Sequence, residues 1–213
     1  MSNFTINELG LEIKNPFAGV YIPPSDAQKR HAISIEDIRQ IQAECFKQND
    51  ELRHIVALIS DTGMRLAEAV GLNQDDLVLD ADVPHVIVRE HAWRSLKTST
   101  SHRVIPLVGA SLWAAQRIKQ NGSEYCFPRY TDGIKCNSNS ASAALNKWIK
   151  QVAGSGNVIH GFRHSFRDRL RALSAPIDMI DQLGGWSLQS VGQGYGDGYQ
   201  LSQMEDVIVG LED

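Results

Sequence analysis

Three cysteines in 213 residues, Cys45, Cys126 and Cys136, are too few and too oddly numbered for a disulfide framework. They also lack the paired spacing of a zinc site, so they read as reduced thiols in a reducing compartment. No apolar run approaches the roughly 18 residues of a membrane span, and no basic segment followed by an apolar one opens the chain. That excludes a spanning helix and a secretory signal and makes the cytoplasm the expected compartment. Internal repeats and low-complexity tracts are missing too. The alternating glycines Gly192, Gly194, Gly196 and Gly198 do not spell a dinucleotide loop. His160 and His164 stand at i, i+4 without the glutamate of a zincin motif, so neither metal nor cofactor is expected.

Net positive charge is missing as well, since the formal total is −4. Its distribution reverses the first impression. Residues 1–88 carry 7 basic and 14 acidic side chains, residues 89–171 carry 14 and 4, and residues 172–213 carry 0 and 7. A middle at +10, including Arg163, Arg167, Arg169 and Arg171, suits the phosphates of double-stranded DNA while the acidic flanks face elsewhere. The plainer alternative is that these arginines, at helical spacing, form a solvated face.

What is present concentrates between His160 and Tyr195, where His160, Arg163, His164, Trp186 and Tyr195 fall within 36 residues. An apolar helical segment (Phe162, Phe166, Leu170, Leu173, Ile177, Ile180, Leu183) links the two ends. A tyrosine phenol, with a reference pKa of about 10, becomes a nucleophile when cations stabilise its phenolate or a base removes its proton. A guanidinium is permanently charged and its planar fork matches two phosphate oxygens, so Arg163 suits a phosphoryl clamp. Trp186, His160 and His164 can each donate a hydrogen bond to the same oxygens.

The periodicity predicts mainly α structure with a small antiparallel β-sheet. Residues 1–30 read as a linker or approach segment without clear period, and residues 31–213 as one domain. Ser34 with Asp37 makes a capping box before Ile35, Ile38 and Ile41, so a helix should run to about Lys47. A second is expected from about Asp50 to Asp61, broken at Gly63 and resumed through Glu68. Residues 83–89 and 103–107 read as strands, with Lys97 on a mobile β-hairpin between them. Further helices are expected at 110–120, 140–152, 161–174, 177–183 and 187–195, before a short tail that is apolar on one side.

His160-Gly-Phe-Arg163-His164, then Leu183-Gly-Gly-Trp186-Ser, then Tyr195 nine positions after the tryptophan resembles the core of the tyrosine recombinases, the phage integrase family. Thr62-Gly-Met-Arg65-Leu-Ala-Glu68 resembles its first-arginine motif. Leu96-Lys97-Thr98 followed by His102-Arg103-Val-Ile-Pro106-Leu resembles its catalytic-lysine hairpin. Taken singly, Arg65 and Glu68 are an ordinary i, i+3 ion pair and Tyr195 a half-buried tyrosine. Five motifs in order, from about Lys29 onward, carry the resemblance.

The resemblance implies a catalytic domain in which Tyr195 attacks a DNA phosphodiester, a 3′-phosphotyrosine forms and a 5′-hydroxyl leaves, without metal or ATP. It implies Arg65 and Arg163 as the phosphate clamp, Lys97 as general acid, His160 and Trp186 completing the pocket and Glu68 supporting it. Arg103, His164, Arg167, Arg169 and Arg171 are the expected DNA contacts. The glycines around Tyr195 depart from the commoner pattern and leave Tyr199 as a rival nucleophile. The family usually has a helical core-binding domain ahead of its linker, and this sequence begins close to that linker, as either one domain of a longer protein or a natural remnant would. It assembles as a tetramer on DNA, and segment 202–211 is expected to dock on a neighbouring protomer, in a cytoplasmic, nucleoid-associated setting in a bacterium or phage-infected host. Two rival functions remain: a prophage-remnant DNA-binding module or regulator, and a type IB topoisomerase-like relaxing enzyme.

Overall fold

The computed structural model describes residues 8–10, 12–13, 15, 31–98, 101–186 and 198–212. Helix α1 (Ile35–Gln48) begins where Ser34 Oγ accepts the Asp37 amide at 3.1 Å, and it buries Ile38, Ile41 and Cys45 along one stripe. It ends on Asn49 in the left-handed region, and Asp50 at once caps α2 (Glu51–Thr62) by accepting from the Arg53 amide. Residues 55–62 of α2 are buried without a break, so this helix is the central rod of the core. It stops at Gly63, and the short α3 (Leu66–Val70) starts with Arg65 as its N-cap. The expected interruption between Asp61 and Glu68 is present, and Arg65 sits at it.

Three antiparallel strands follow, β1 (Leu77–Val78), β2 (His85–Val88) and β3 (Arg103–Pro106), with Val86 opposite Ile105 and Val88 opposite Arg103. The sequence reading found β2 and β3 but not β1. Two residues carry no periodicity, and β1 exists because it pairs with β2. Helix α4 (Gly109–Lys119) packs along α2. Then come α5 (Ser138–Ala153), α6 (Gly161–Ala172), α7 (Ile177–Gly184) and α8 (Leu201–Ile208), the last followed by a 3-10 turn at Val209–Leu211. Most of residues 1–30 and the expected helix at 187–195 lie outside the described residues.

The C-terminal segment packs on its own chain. Met204, Ile208 and Leu211 are buried, and α8 packs on β3 of its own chain. Glu212 Oε1 accepts the Gly109 amide at 2.9 Å, and Arg169 Nη2 donates to the Leu211 carbonyl at 2.6 Å. Arg169 also donates to both the Ser60 carbonyl and Asp61 Oδ1, an acid only 4% exposed. Burial pushes the Asp61 pKa up, and Arg169 is the charge that opposes this. Arg169, expected to contact DNA, here links α6 to α2 and to the C-terminal segment.

Among the described residues, no helix is long and apolar enough to cross a membrane.

Candidate active site

The break after α2 leaves Arg65 extended (φ −70°, ψ 145°), so its side chain is projected at a helix start. Glu68 reaches back to hold it. Its Oε2 accepts the Arg65 amide at 2.8 Å, and its Oε1 accepts Arg65 Nη1 at 2.6 Å. Glu68 Oε2 also accepts Arg103 Nη2 at 2.8 Å, so one buried carboxylate joins two guanidiniums from different elements. Burial alone would raise the Glu68 pKa. The charges and hydrogen bonds of Arg103 and Arg65 more than offset it and hold the carboxyl at about 2.

Because the folded value lies below the ordinary 4.5, Glu68 contributes stability that is present above pH 4.5 and lost as pH falls toward 2. The gap in unfolding free energy between wild type and Glu68→Gln should close across that window in denaturant titrations at stepped pH. A constant gap would mean that Glu68 acts through shape alone.

Arg163, on the first turn of α6, is 5% exposed and donates to the Gly63 carbonyl at 2.8 Å and the Gly184 carbonyl at 2.6 Å. Its guanidinium lies 4.4 Å from the Trp186 ring centroid, and Arg167 lies 4.8 Å from it. The Leu-Gly-Gly-Trp run explains this placement. Gly185 ends α7 in the left-handed region (φ 59°), which turns the chain back. A Cβ on Gly184 would fall 1.7 Å from Trp186 Cζ3, so the ring can fold against the helix end only over a glycine. Burial, followed by repulsion from Arg65 and Arg103, presses the Arg163 pKa down to about 9.

Arg65, Arg103 and Arg163 thus crowd together with Glu68 as their shared anion. Ser101 Oγ accepts Arg65 Nη1 at 3.1 Å and pairs with Thr98 Oγ1 at 3.0 Å, which ties the connection carrying Lys97 to the same arginine. Lys97 itself is exposed. His160 is half-buried at the N-cap of α6, its ring 5.2 Å edge-on from that of the exposed His164.

Tyr195 lies outside the described residues. Tyr199 lies within them and is committed elsewhere. Its hydroxyl donates to Asp178 Oδ1 at 3.0 Å and its backbone is held at both ends by Gln182. Burial and that carboxylate push the Tyr199 pKa up, opposite to what a nucleophilic phenol requires.

Two of the expected DNA contacts have partners within the fold. Arg103 has a side chain 2% exposed and donates to Glu68, the Ser101 carbonyl and the Leu183 carbonyl, so it organises the site from behind. Arg169 makes the links described above. The signal for Arg103 was legible, because in the strand it shares parity with the inward Ile105. Arg167 is half-buried and bonds Asp181 at 3.2 Å, while Arg171 is exposed and meets Asp168 at 3.3 Å. Ser101 and Asp181 were missed; isolated polar residues of these types give no signal in sequence.

A sequence profile of the phage integrase family matches residues 32–200. The tyrosine recombinase XerC of Neisseria meningitidis serogroup B is 29% identical over 143 residues, which cover 65% of this chain and 44% of that protein. The chain therefore matches less than half the length of that relative. Among solved structures, the integrase of mycobacterium phage Brujita superposes with a TM-score of 0.61 at 15% identity, covering 98% of this chain and 67% of the other. The Tn1549 transposon integrase, solved in complex with a circular intermediate DNA, gives 0.60 at 15% identity, covering 95% and 74%. At such identities the superpositions speak to the fold, and the profile, spanning most of the sequence, speaks to descent: the chain belongs to the phage integrase family.

Proposed function

We propose that this chain is the catalytic domain of a site-specific DNA recombinase that cleaves and rejoins strands through a 3′-phosphotyrosine. The observation that carries the reading is the gathering of Arg65 and Arg103 on the one buried carboxylate of Glu68, with the buried Arg163 held beside them by the Gly63 and Gly184 carbonyls. Cations are brought that close at a cost to folding, and the cost is relieved when a phosphodiester supplies the missing negative charge. In this scheme Arg65 and Arg163 bind the non-bridging oxygens, with His160 and Trp186 completing the pocket. Tyr195 Oη bonds to phosphorus as the P–O5′ bond breaks, Lys97 protonates the leaving oxygen and the phenolic proton passes to solvent. Double-stranded DNA as partner is supported by relatives solved with DNA bound.

The test is to incubate the protein with nicked duplexes of randomised sequence and look for a covalent adduct on a denaturing gel. Salt-dependent binding without adduct would leave a DNA-binding module, and relaxation of supercoiled plasmid without strand exchange would leave a topoisomerase-like enzyme. Assembly as a tetramer on DNA belongs to the same proposal. Docking of segment 202–211 on a neighbouring protomer belongs to it as well, through the face that Met204 and Ile208 leave exposed or by release of these two side chains.

Affinity should rest on the exposed members of the basic middle region. Arg171→Ala should flatten the dependence of log affinity on log salt by roughly one phosphate contact. Arg169→Ala should leave that slope alone and lower stability by about 3–5 kcal/mol, since it strands the buried Asp61. Fluorescence anisotropy across salt and thermal unfolding separate the two. A flattened slope in Arg169→Ala with normal stability would return that residue to the DNA face.

A further inference from the structure

Arg94 is 5% exposed, yet only its Nη2 finds a partner among the described residues, the Arg89 carbonyl at 2.6 Å; Nε and Nη1 have none. Burial pushes its pKa down although Glu68 and Asp76 both attract its charge. A buried guanidinium with idle donors is a poor way to fill space, because a methionine of similar length would fill it without that desolvation. What Arg94 does have is a place in the turn that launches the Lys97 connection. Arg94 and His91 exchange both backbone hydrogen bonds at 3.0 Å, closing a tight turn.

That turn is fixed to the core at two points. The Arg94 stem lies against Gly71, where a Cβ would fall 2.7 Å from its Cδ and Nε, and Trp93 Nε1 donates to the Gly71 carbonyl at 3.0 Å. The Trp93 ring stacks on His91 at 4.5 Å, and the buried Asp76 takes both His91 Nε2 at 2.6 Å and Arg89 Nε at 2.7 Å. Gly71 directly follows α3, the helix that carries Glu68. Lys97 emerges three residues beyond Arg94, and one residue later Thr98 and Ser101 lead back to Arg65.

Resting on the proposed role of Lys97 as general acid, we propose that Arg94 is a positioning residue for it. By clamping the Arg89 carbonyl and lying against Gly71 at the end of the helix that carries Glu68, it sets where the Lys97 connection leaves the core relative to the phosphate pocket. Arg94 touches no substrate; it acts through Lys97.

The test uses a leaving group that needs no acid. Nicked duplexes of random sequence captured by the wild type identify the scissile phosphodiester, which is then synthesised with sulfur replacing the bridging 5′ oxygen. A thiolate leaves as the anion, so protonation by Lys97 becomes unnecessary. With oxygen, Lys97→Ala should cleave about a hundredfold or more slowly, and Arg94→Met about tenfold or more slowly. With sulfur, both should return to the wild-type rate, whereas Arg163→Lys should remain slow. Arg94→Met should also melt no lower than wild type. Should it fail to fold, Arg94→Lys, which keeps the charge and loses the Arg89 clamp, must show the same recovery. Normal cleavage by the Arg94 variants with oxygen, or no recovery with sulfur while Lys97→Ala recovers, overturns the inference alone. Absence of recovery in Lys97→Ala itself, or of any adduct with wild type, overturns the underlying reading and this inference with it.

Discussion

Tyr195→Phe is expected to remove the covalent protein–DNA adduct to below detection while leaving noncovalent binding nearly intact. In the proposed mechanism, removing the single oxygen that bonds to phosphorus leaves no partial route to the intermediate, whereas the basic side chains expected to meet the phosphates are untouched. Nine residues after Trp186 is the spacing at which the family resemblance places the nucleophile. Independent support comes from its rival. Tyr199 donates its hydroxyl to Asp178 and both its backbone groups engage Gln182, so its phenolate would face a carboxylate in place of a cation. Tyr199→Phe should therefore keep the adduct and lose about 1 kcal/mol of stability, the typical worth of one hydrogen bond. Denaturing gels of the two variants on the same nicked duplex decide it. An adduct that persists in Tyr195→Phe and disappears in Tyr199→Phe would reverse the assignment.

The two tyrosines also show how far the sequence could be read. Helix boundaries were legible wherever a side chain caps a backbone amide, as Ser34 and Asp50 do, because capping is a local interaction. The break that presents Arg65 was legible for the same reason, since glycine at 63 cannot be mistaken for helix interior. Strand β1 was not, because its two residues are held by a partner strand. Arg65 and Arg163 were singled out as a clamp by motif and chemistry, whereas Arg103 and Arg169 were expected at DNA, and their partners within the fold were not foreseen. Strand parity with Ile105 marks Arg103 as inward, but neither parity nor charge names Glu68 or Asp61 as the carboxylates that Arg103 and Arg169 meet, 35 and 108 residues away in sequence. Ser101 and Arg94 were unreadable in the same sense, since their meaning arises only from what the fold places beside them.

Arg163 carries the second large effect. Its two carbonyl bonds, to Gly63 and Gly184, join the end of α2 to the end of α7, and the Trp186 ring covers its face. A lysine there keeps a charge but loses the fork, so it cannot serve both carbonyls and offer donors to a phosphate at once. Loss of one donor aimed at developing charge typically costs about 3–4 kcal/mol, or roughly a hundredfold to a thousandfold in rate. Arg163→Lys should show that fall in single-turnover cleavage under saturating protein, where binding no longer limits. Part of any loss will come from the carbonyls left behind, and thermal unfolding measures that part. Replacement of the leaving oxygen by sulfur separates the clamp from the acid, because a thiolate leaving group relieves the need for Lys97 and does nothing for the charge on the non-bridging oxygens. Near wild-type cleavage by Arg163→Lys would reduce Arg163 to a brace between two helix ends and leave Arg65, held by Glu68 and Ser101, as the arginine that binds the phosphate.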